Sequence, residues 1–273
     1  TGYYNSGVVG GGRINVGLLS IDLEGNNNWL KTVGKAGFDY YAGRPGSFKE
    51  IDDHFILGGS IAFADSSIGH FIKYNRSGDT ILTSDYLPQS NNELFFNNSS
   101  PTLDSNYIFT GEVLPQSGYV DALLVKTDKH GNEIWRKDFG WNTADKGFSI
   151  FQSHDSGYVV GGYTYMPGLE DSGQPLIVKF DKDGNYLWNK KPGGPLDDDI
   201  AMVCSSADSN IIALTVYADS PYGGGENGRI NILKLDQQGG ILWNKKYGPS
   251  RPGRNTGNIK PLNDGGFICC GHS

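Results

Sequence analysis

Cysteine is scarce in this chain: three residues in 273, Cys204, Cys269 and Cys270. Three thiols cannot all pair with one another and they form no C-x-x-C pattern, which excludes a disulfide framework and a cysteine zinc site. One bridge from Cys204 to the adjacent pair stays open beside the reading as small buried thiols. Charged residues are also few, at 19% against roughly 25% in an average domain. The Lys and Arg residues are scattered and the net charge is −7. Nucleic acid and anionic bilayers need clustered cations, so neither is expected as the main partner. No run approaches 18 consecutive apolar residues, so direct membrane insertion is not expected either. The five histidines share no ligand spacing, and the glycine runs 10–12 and 223–225 lack the strand, helix and Lys of a phosphate loop. No cofactor is expected. Thr1 in place of Met points to a processed or excised chain.

Glycine, by contrast, is plentiful: 40 residues, about twice the usual share of about 7%. So many glycines ask for many turns. With 37% hydrophobic and 12% aromatic residues there is material for a packed core. The composition fits one all-β domain over residues 1–273, a size at which sandwiches and barrels stay single units.

Self-similarity organises the rest. The segments IDLEGNNNW (21–29), YNRSGDTIL (74–82), TDKHGNEIW (127–135), FDKDGNYLW (180–188) and LDQQGGILW (235–243) align without gaps. Their glycines, Gly25, Gly78, Gly131, Gly184 and Gly239, are 53, 53, 53 and 55 residues apart, with Trp, or Leu82 in the second copy, four residues later. The apolar run before each copy reads as a strand buried on both faces, and D-x-x-G reads as a turn in which Gly takes positive φ. The Trp strand returns, its flat side chain expected between stacked sheets. Lys73, Lys126, Lys179 and Lys234 recur two residues before each hairpin Asn or Asp, with buried stems and paired heads expected.

A second element lies between these hairpins: LDSNYIFTG (103–111), HDSGYVVGG (154–162), ADSNIIALT (207–215), NDGGFICCG (263–271) and the weaker IDDHFILGG (51–59). Its Asp opens a turn, the apolar residues form another strand, and the closing Gly signals close backbone approach. Each period thus supplies four short strands, the pattern of a β-propeller blade. The chain opens on the outer two strands of a blade (near 14–32) and closes on the inner two (near 255–272). Five four-stranded blades with two-plus-two closure by the termini are therefore expected, a fragment of a larger propeller being the alternative.

The D-x-x-G-x-x-x-W hairpin, read together with DSGYVVGG, resembles the β-propeller repeats of secreted and surface proteins of the Bacteroidota, many of them type IX secretion cargo. The resemblance is closest over residues 121–190 and 228–271 and implies the fold and an extracytoplasmic location, secreted or at the cell surface. It implies no reaction. Tryptophan-docking repeats of pyrroloquinoline-quinone propellers are similar more weakly, and the sialidase Asp box spaces its residues more closely.

The two hairpins of each blade share one end of the disc and are short. The opposite end carries long, unlike connections. Long loops on a rigid scaffold are where binding residues concentrate, which nominates Tyr40, Trp141, Asp145 and Arg254 as contacts for a protein or glycan there. Asp197, Asp198 and Asp199 could offer a hard cation carboxylate oxygens, or they cap backbone groups as Asx turns. Folding accounts for every strong motif, so the leading expectation is a noncatalytic binding or structural module of a surface assembly. The alternative is a carbohydrate-active enzyme using axial carboxylates.

Overall fold

A computed structural model describes residues 2–6, 13–35, 37–44, 46–63, 66–89, 93–115, 118–141, 143–166, 169–193, 200–218, 228–251 and 255–272. These residues form strands and no helix. The first sheet joins β1 (Gly2–Ser6), β2 (Arg13–Ile21) and β3 (Asn27–Val33). The second has β4 (Asp39–Tyr41) and β5 (Phe48–Ile51) side by side on β6 (His54–Phe63), followed by β7 (Ser66–Asn75) and β8 (Thr80–Tyr86). The third, β9 (Glu93–Pro101), β10 (Tyr107–Leu114), β11 (Asp121–Thr127) and β12 (Glu133–Phe139), is a plain antiparallel meander. So are the fourth, β13 (Asp145–Gln152), β14 (Tyr158–Met166), β15 (Leu169–Phe180) and β16 (Tyr186–Lys190), and the fifth, β17 (Met202–Ser205), β18 (Ile211–Ala218), β19 (Gly228–Leu235) and β20 (Ile241–Arg251). The sixth is the pair β21 (Asn255–Pro261) and β22 (Phe267–His272).

The hairpins form as the repeat predicts. One side-chain oxygen of Asp22, Asn75, Asp128, Asp181 and Asp236 accepts the amides two and four residues on, at 2.7–3.0 Å. The glycine between those amides has φ of +77 to +87°, a conformation costly for any residue with a Cβ. The repeated lysines pair within their own sheets: Lys126 with Asp104 at 2.7 Å, Lys179 with Asp155 at 2.7 Å and Lys234 with Asp208 at 2.6 Å. Lys73 departs, standing 6.0 Å over the Tyr107 ring.

The inner strands β9, β13, β17 and β21 pack in sequence, with β2 on β4 and β5 on β9. Apolar side chains of the middle strands leave both faces and fill one cluster per interface. Phe71, Tyr107, Phe109 and Val125 lie between the second and third sheets. Ile108, Leu124, Val160 and Val178 lie between the third and fourth, and Val159, Ile177, Ala213 and Leu233 between the fourth and fifth. Fully burying each such residue stabilises the fold by roughly 1.5–3 kcal/mol.

The tryptophans sit farther out than the expectation of burial between sheets. Trp29, Trp135, Trp188 and Trp243 are half-buried, because they occupy outer strands. Each of the first three leans on the hairpin glycine of the following sheet. A methyl group on Gly78, Gly184 or Gly239 would lie 2.6, 2.9 or 3.1 Å from the indole of Trp29, Trp135 or Trp188. Leu82 takes this place over Gly131 at 3.6 Å.

The expected pairing of segments 14–32 and 255–272 is not present. Among the described residues β22 pairs only with β21, and β1 pairs with β2 from Gly2↔Gly17 to Ser6↔Arg13. The nearby strand β1 takes part of the β2 edge that the C-terminal hairpin was expected to fill. The sheets therefore make an open, propeller-like series.

Candidate binding cavity beside the axis

One ladder irregularity recurs in the inner strands. A single residue bulges out where Thr110 and Gly111 face β9, where Gly161 and Gly162 face β13, and where Cys270 and Gly271 face β21. Asn97, Phe148 and Gly257 are the bulged residues. The bulge drives a neighbouring carbonyl against the second strand and explains the repeated glycine. A methyl group on Gly111 or Gly162 would sit 1.8 Å from the Phe95 oxygen or 2.0 Å from the Lys146 oxygen.

In the second sheet the same point holds six residues, Ala42 to Ser47, between Tyr41↔Ser60 and Phe48↔Leu57. The described residues of this segment turn toward the inner strands of other sheets. The Arg44 amide donates to the Asn97 carbonyl at 2.6 Å, the Ser47 amide to the Arg44 carbonyl at 3.0 Å, and the Ser99 hydroxyl to the Ser47 carbonyl at 2.7 Å. The Ser47 hydroxyl donates to the Ala42 carbonyl. Gly43 has φ +68°, and a methyl group there would lie 2.6 Å from the Gly58 oxygen and 2.8 Å from the Asn97 oxygen. Arg44 holds its guanidinium 4.9 Å from the centroid of the Phe148 ring, and a methyl on Gly46 would come within 2.8 Å of the Asn258 amide nitrogen. The insertion thus reaches the bulged region of three other sheets and forms a plug among their inner strands.

Beside the plug lies a cavity of about 440 Å³ walled by Tyr41, Arg44, Ser60, Phe95, Asn97 and Glu112, with Gly43, Ala62, Ser67 and Phe96. It lies toward the end with the long connections, since Ala62, Ser67 and Phe95 flank the joins from β6 to β7 and from β8 to β9. Aromatic faces, hydroxyls, an amide and ions meet there, the mixture typical of a small-ligand site. Glu112 pairs with Lys146 at 2.6 Å. Arg44 has no carboxylate partner among the described residues. The sequence carried a faint signal of this site in the turn-forming string Gly43-Arg44-Pro45-Gly46, but Arg44, Asn97 and Glu112 were not singled out.

The residues nominated from sequence are dispersed. Trp141 and Asp145 meet: the Trp141 amide donates to the Asp145 carboxylate at 2.8 Å, and the indole packs on Phe139 and Tyr186. Asp145 has no exposed surface. Burial raises its pKa, while Thr164, the Trp141 amide and Thr143 act the other way. Asp121 converges with it beneath Gly140, and its own carboxyl is pushed up by burial and then by the Asp145 and Asp138 charges. Tyr40 lies on the second sheet, edge-on to His70 at 5.5 Å. Burial lowers the His70 pKa against the pull of Asp85, whose oxygen is 2.6 Å from Nδ1. Arg254, Asp197, Asp198 and Asp199 lie outside the described residues. Among those described, no group of three or more His, Cys, Asp or Glu side chains could hold a metal ion.

No protein-family model matches the sequence, and no curated protein matches it. Solved structures do. A puromycin hydrolase is similar with a TM-score of 0.51 and 11% identity over 83% of this chain and 35% of that one. The subtype N10 neuraminidase-like protein of A/little yellow-shouldered bat/Guatemala/060/2010 gives 0.49 and 11% over 80% and 71%. A Bombyx mori GH32 β-fructofuranosidase gives 0.45 and 10% over 84% and 55%. The chain therefore spans about a third of the hydrolase and about half of the silkworm enzyme. At such identities the likeness is one of fold, and the fold is all-β and propeller-like.

Proposed function

We propose that this chain is a noncatalytic, extracytoplasmic binding module, secreted or held at a cell surface within a larger assembly, that takes a protein or glycan at the end with the long connections. The observation that carries this reading is the cavity beside the plug. It is preformed, since the insertion that walls it is tied to β9 by two hydrogen bonds. A glycosidase needs two carboxyl groups flanking a sugar, roughly 5 to 9.5 Å apart. Glu112 is the one carboxylate in the cavity wall and is already paired. Asp121 and Asp145 converge elsewhere, and buried Asp145 offers a sugar no surface. The extracytoplasmic location rests on the resemblance of the D-x-x-G-x-x-x-W repeat to Bacteroidota surface propellers. A glycan panel tests the reading, run with the wild type and a Tyr41→Ala/Phe95→Ala variant while released sugar is assayed. Binding without release, weakened at least tenfold in the variant, is the expected result. Turnover abolished by Glu112→Gln would install the glycosidase instead.

The same proposal has the first and sixth sheets sharing one position in a ring of five. Its support is a mismatch between equivalent residues. Leu19 and Ile21 of β2 are 58% and 59% exposed, whereas Val125, Val178, Leu233, Thr127, Phe180 and Leu235 at the matching positions are at most 2% exposed. Nothing packs within 4 Å of where a methyl group on Gly25 would lie, although the other four hairpin glycines each carry a side chain from the preceding sheet. Pairing with β1 stops at Gly17, and among the described residues nothing pairs with Leu18 to Ile21 along that edge. The register common to the third, fourth and fifth sheets would set Phe267 opposite Ile21 and Cys269 opposite Leu19. Trp243 would then reach Gly25.

A further inference from the structure

Resting on the glycan arm of that reading, we infer that the cavity beside the plug binds a sugar residue bearing a carboxylate, of the hexuronic acid class, with Arg44 as the group that reads the acid. The fold itself does not explain the insertion. Three other sheets meet the same ladder point with a single bulged residue, and extra length costs closure entropy. Three residues more than in the third sheet, held through Arg44 and Ser47 by hydrogen bonds with Asn97 and Ser99 and by a left-handed Gly43, are a built wall.

The wall's charge selects the ligand. Glu112 and Lys146 neutralise one another at 2.6 Å. Arg44 is then the charged group of the lining without an ion-pair partner among the described residues, a cation in a chain whose net charge is −7. Its position over Phe148 matters as well. A guanidinium held over a ring by cation–π attraction still carries free N–H donors, a fork that matches the two oxygens of a carboxylate. The rest of the lining suits a sugar ring. Tyr41 and Phe95 are partly exposed aromatic surfaces for C–H faces. Of the buried polar residues behind them, Ser60, which accepts from the Phe96 amide, and Asn97, which donates to the Gly147 carbonyl, each keep one polar function for a ligand hydroxyl. About 440 Å³ accommodates a small ligand of one or two rings.

Calorimetric titration of the whole chain with glucuronate and galacturonate, beside glucose, galactose, the methyl ester of glucuronate and inorganic phosphate, tests the inference. Expected is saturable binding of at least one uronate, at least tenfold weaker for its neutral counterparts, and at least tenfold weaker in Arg44→Gln, whose Tm verifies folding. Arg44→Lys should restore part of the affinity. Equal affinity for neutral sugars, or an Arg44→Gln variant that binds the uronate unchanged, overturns the acid-reading role while leaving a glycan module standing. Phosphate binding without uronate binding assigns the cavity to another anion and overturns it too. Binding of no sugar in the glycan panel or the titration removes the glycan arm together with this inference.

Discussion

The interface between the third and fourth sheets and the outward face of β2 in the first sheet are lined by matching positions of one repeat, yet the first is buried and the second open. Val178 is fully buried, and its counterpart Leu19 is 58% exposed. An apolar residue in this chain is worth what the neighbouring sheet makes of it, so stability resides in the interfaces, as in other repeat architectures.

The largest effect expected on the closed side is Phe109→Ala. This side chain is fully buried against Phe71, Tyr86 and Phe96, and its loss should cost about 4 kcal/mol in urea unfolding. Leu19→Ala tests the open side: a ring closed in solution predicts a cost of about 2–3 kcal/mol, whereas an open edge predicts less than about 0.5 kcal/mol. Leu19→Cys sharpens this, because the proposed register places it opposite Cys269, which is free in the structure. Mild oxidation should give an intramolecular bridge, detectable by non-reducing mass analysis; a bridged dimer would show that a second copy fills the edge. Trp135→Ala should cost about 2 kcal/mol, below the range for a fully enclosed Trp because one face is in water. The smallest effect is Asp121→Asn. Its folded pKa is raised by burial and by the Asp145 and Asp138 charges, so the ionised form costs stability at pH 7. After solvent screening the Asn variant should gain less than about 0.5 kcal/mol there. Thermal melts across pH should show the gain shrinking as the pH falls through the raised value and vanishing below the ordinary carboxylate range.

The hairpins, the doubly buried strands and the closing glycines were legible because each is dictated by local geometry repeated four or five times along the chain. The insertion was not, and the reason is a compensation in length. In the second sheet the turn between the inner strands has two residues, Asp52 and Asp53, where the third has five, from Thr102 to Asn106. The inner strand gains three residues while the turn and the two neighbouring connections are each shorter, so the 53-residue spacing is unbroken and the sequence looks regular. Asp52 consequently does not open the five-residue turn that Asp104, Asp155 and Asp208 share. The burial of Asp145 was hidden for a different reason: a carboxylate in a connection reads as solvated until Thr143, Thr164 and the Trp141 amide are seen around it. Tyr40 had the residue type of a contact but faces His70.

The indole-on-glycine contacts all point one way along the chain, from the outer strand of one sheet to the hairpin of the next. Information about damage should therefore travel backwards. A bulky residue at Gly184 lifts Trp135 from its seat and loosens β12, whereas Trp188, which rests on Gly239, keeps its support. Amide hydrogen exchange would register this as protection lost in the preceding sheet and retained in the following one, a polarity absent from the nearly symmetric apolar clusters between the sheets.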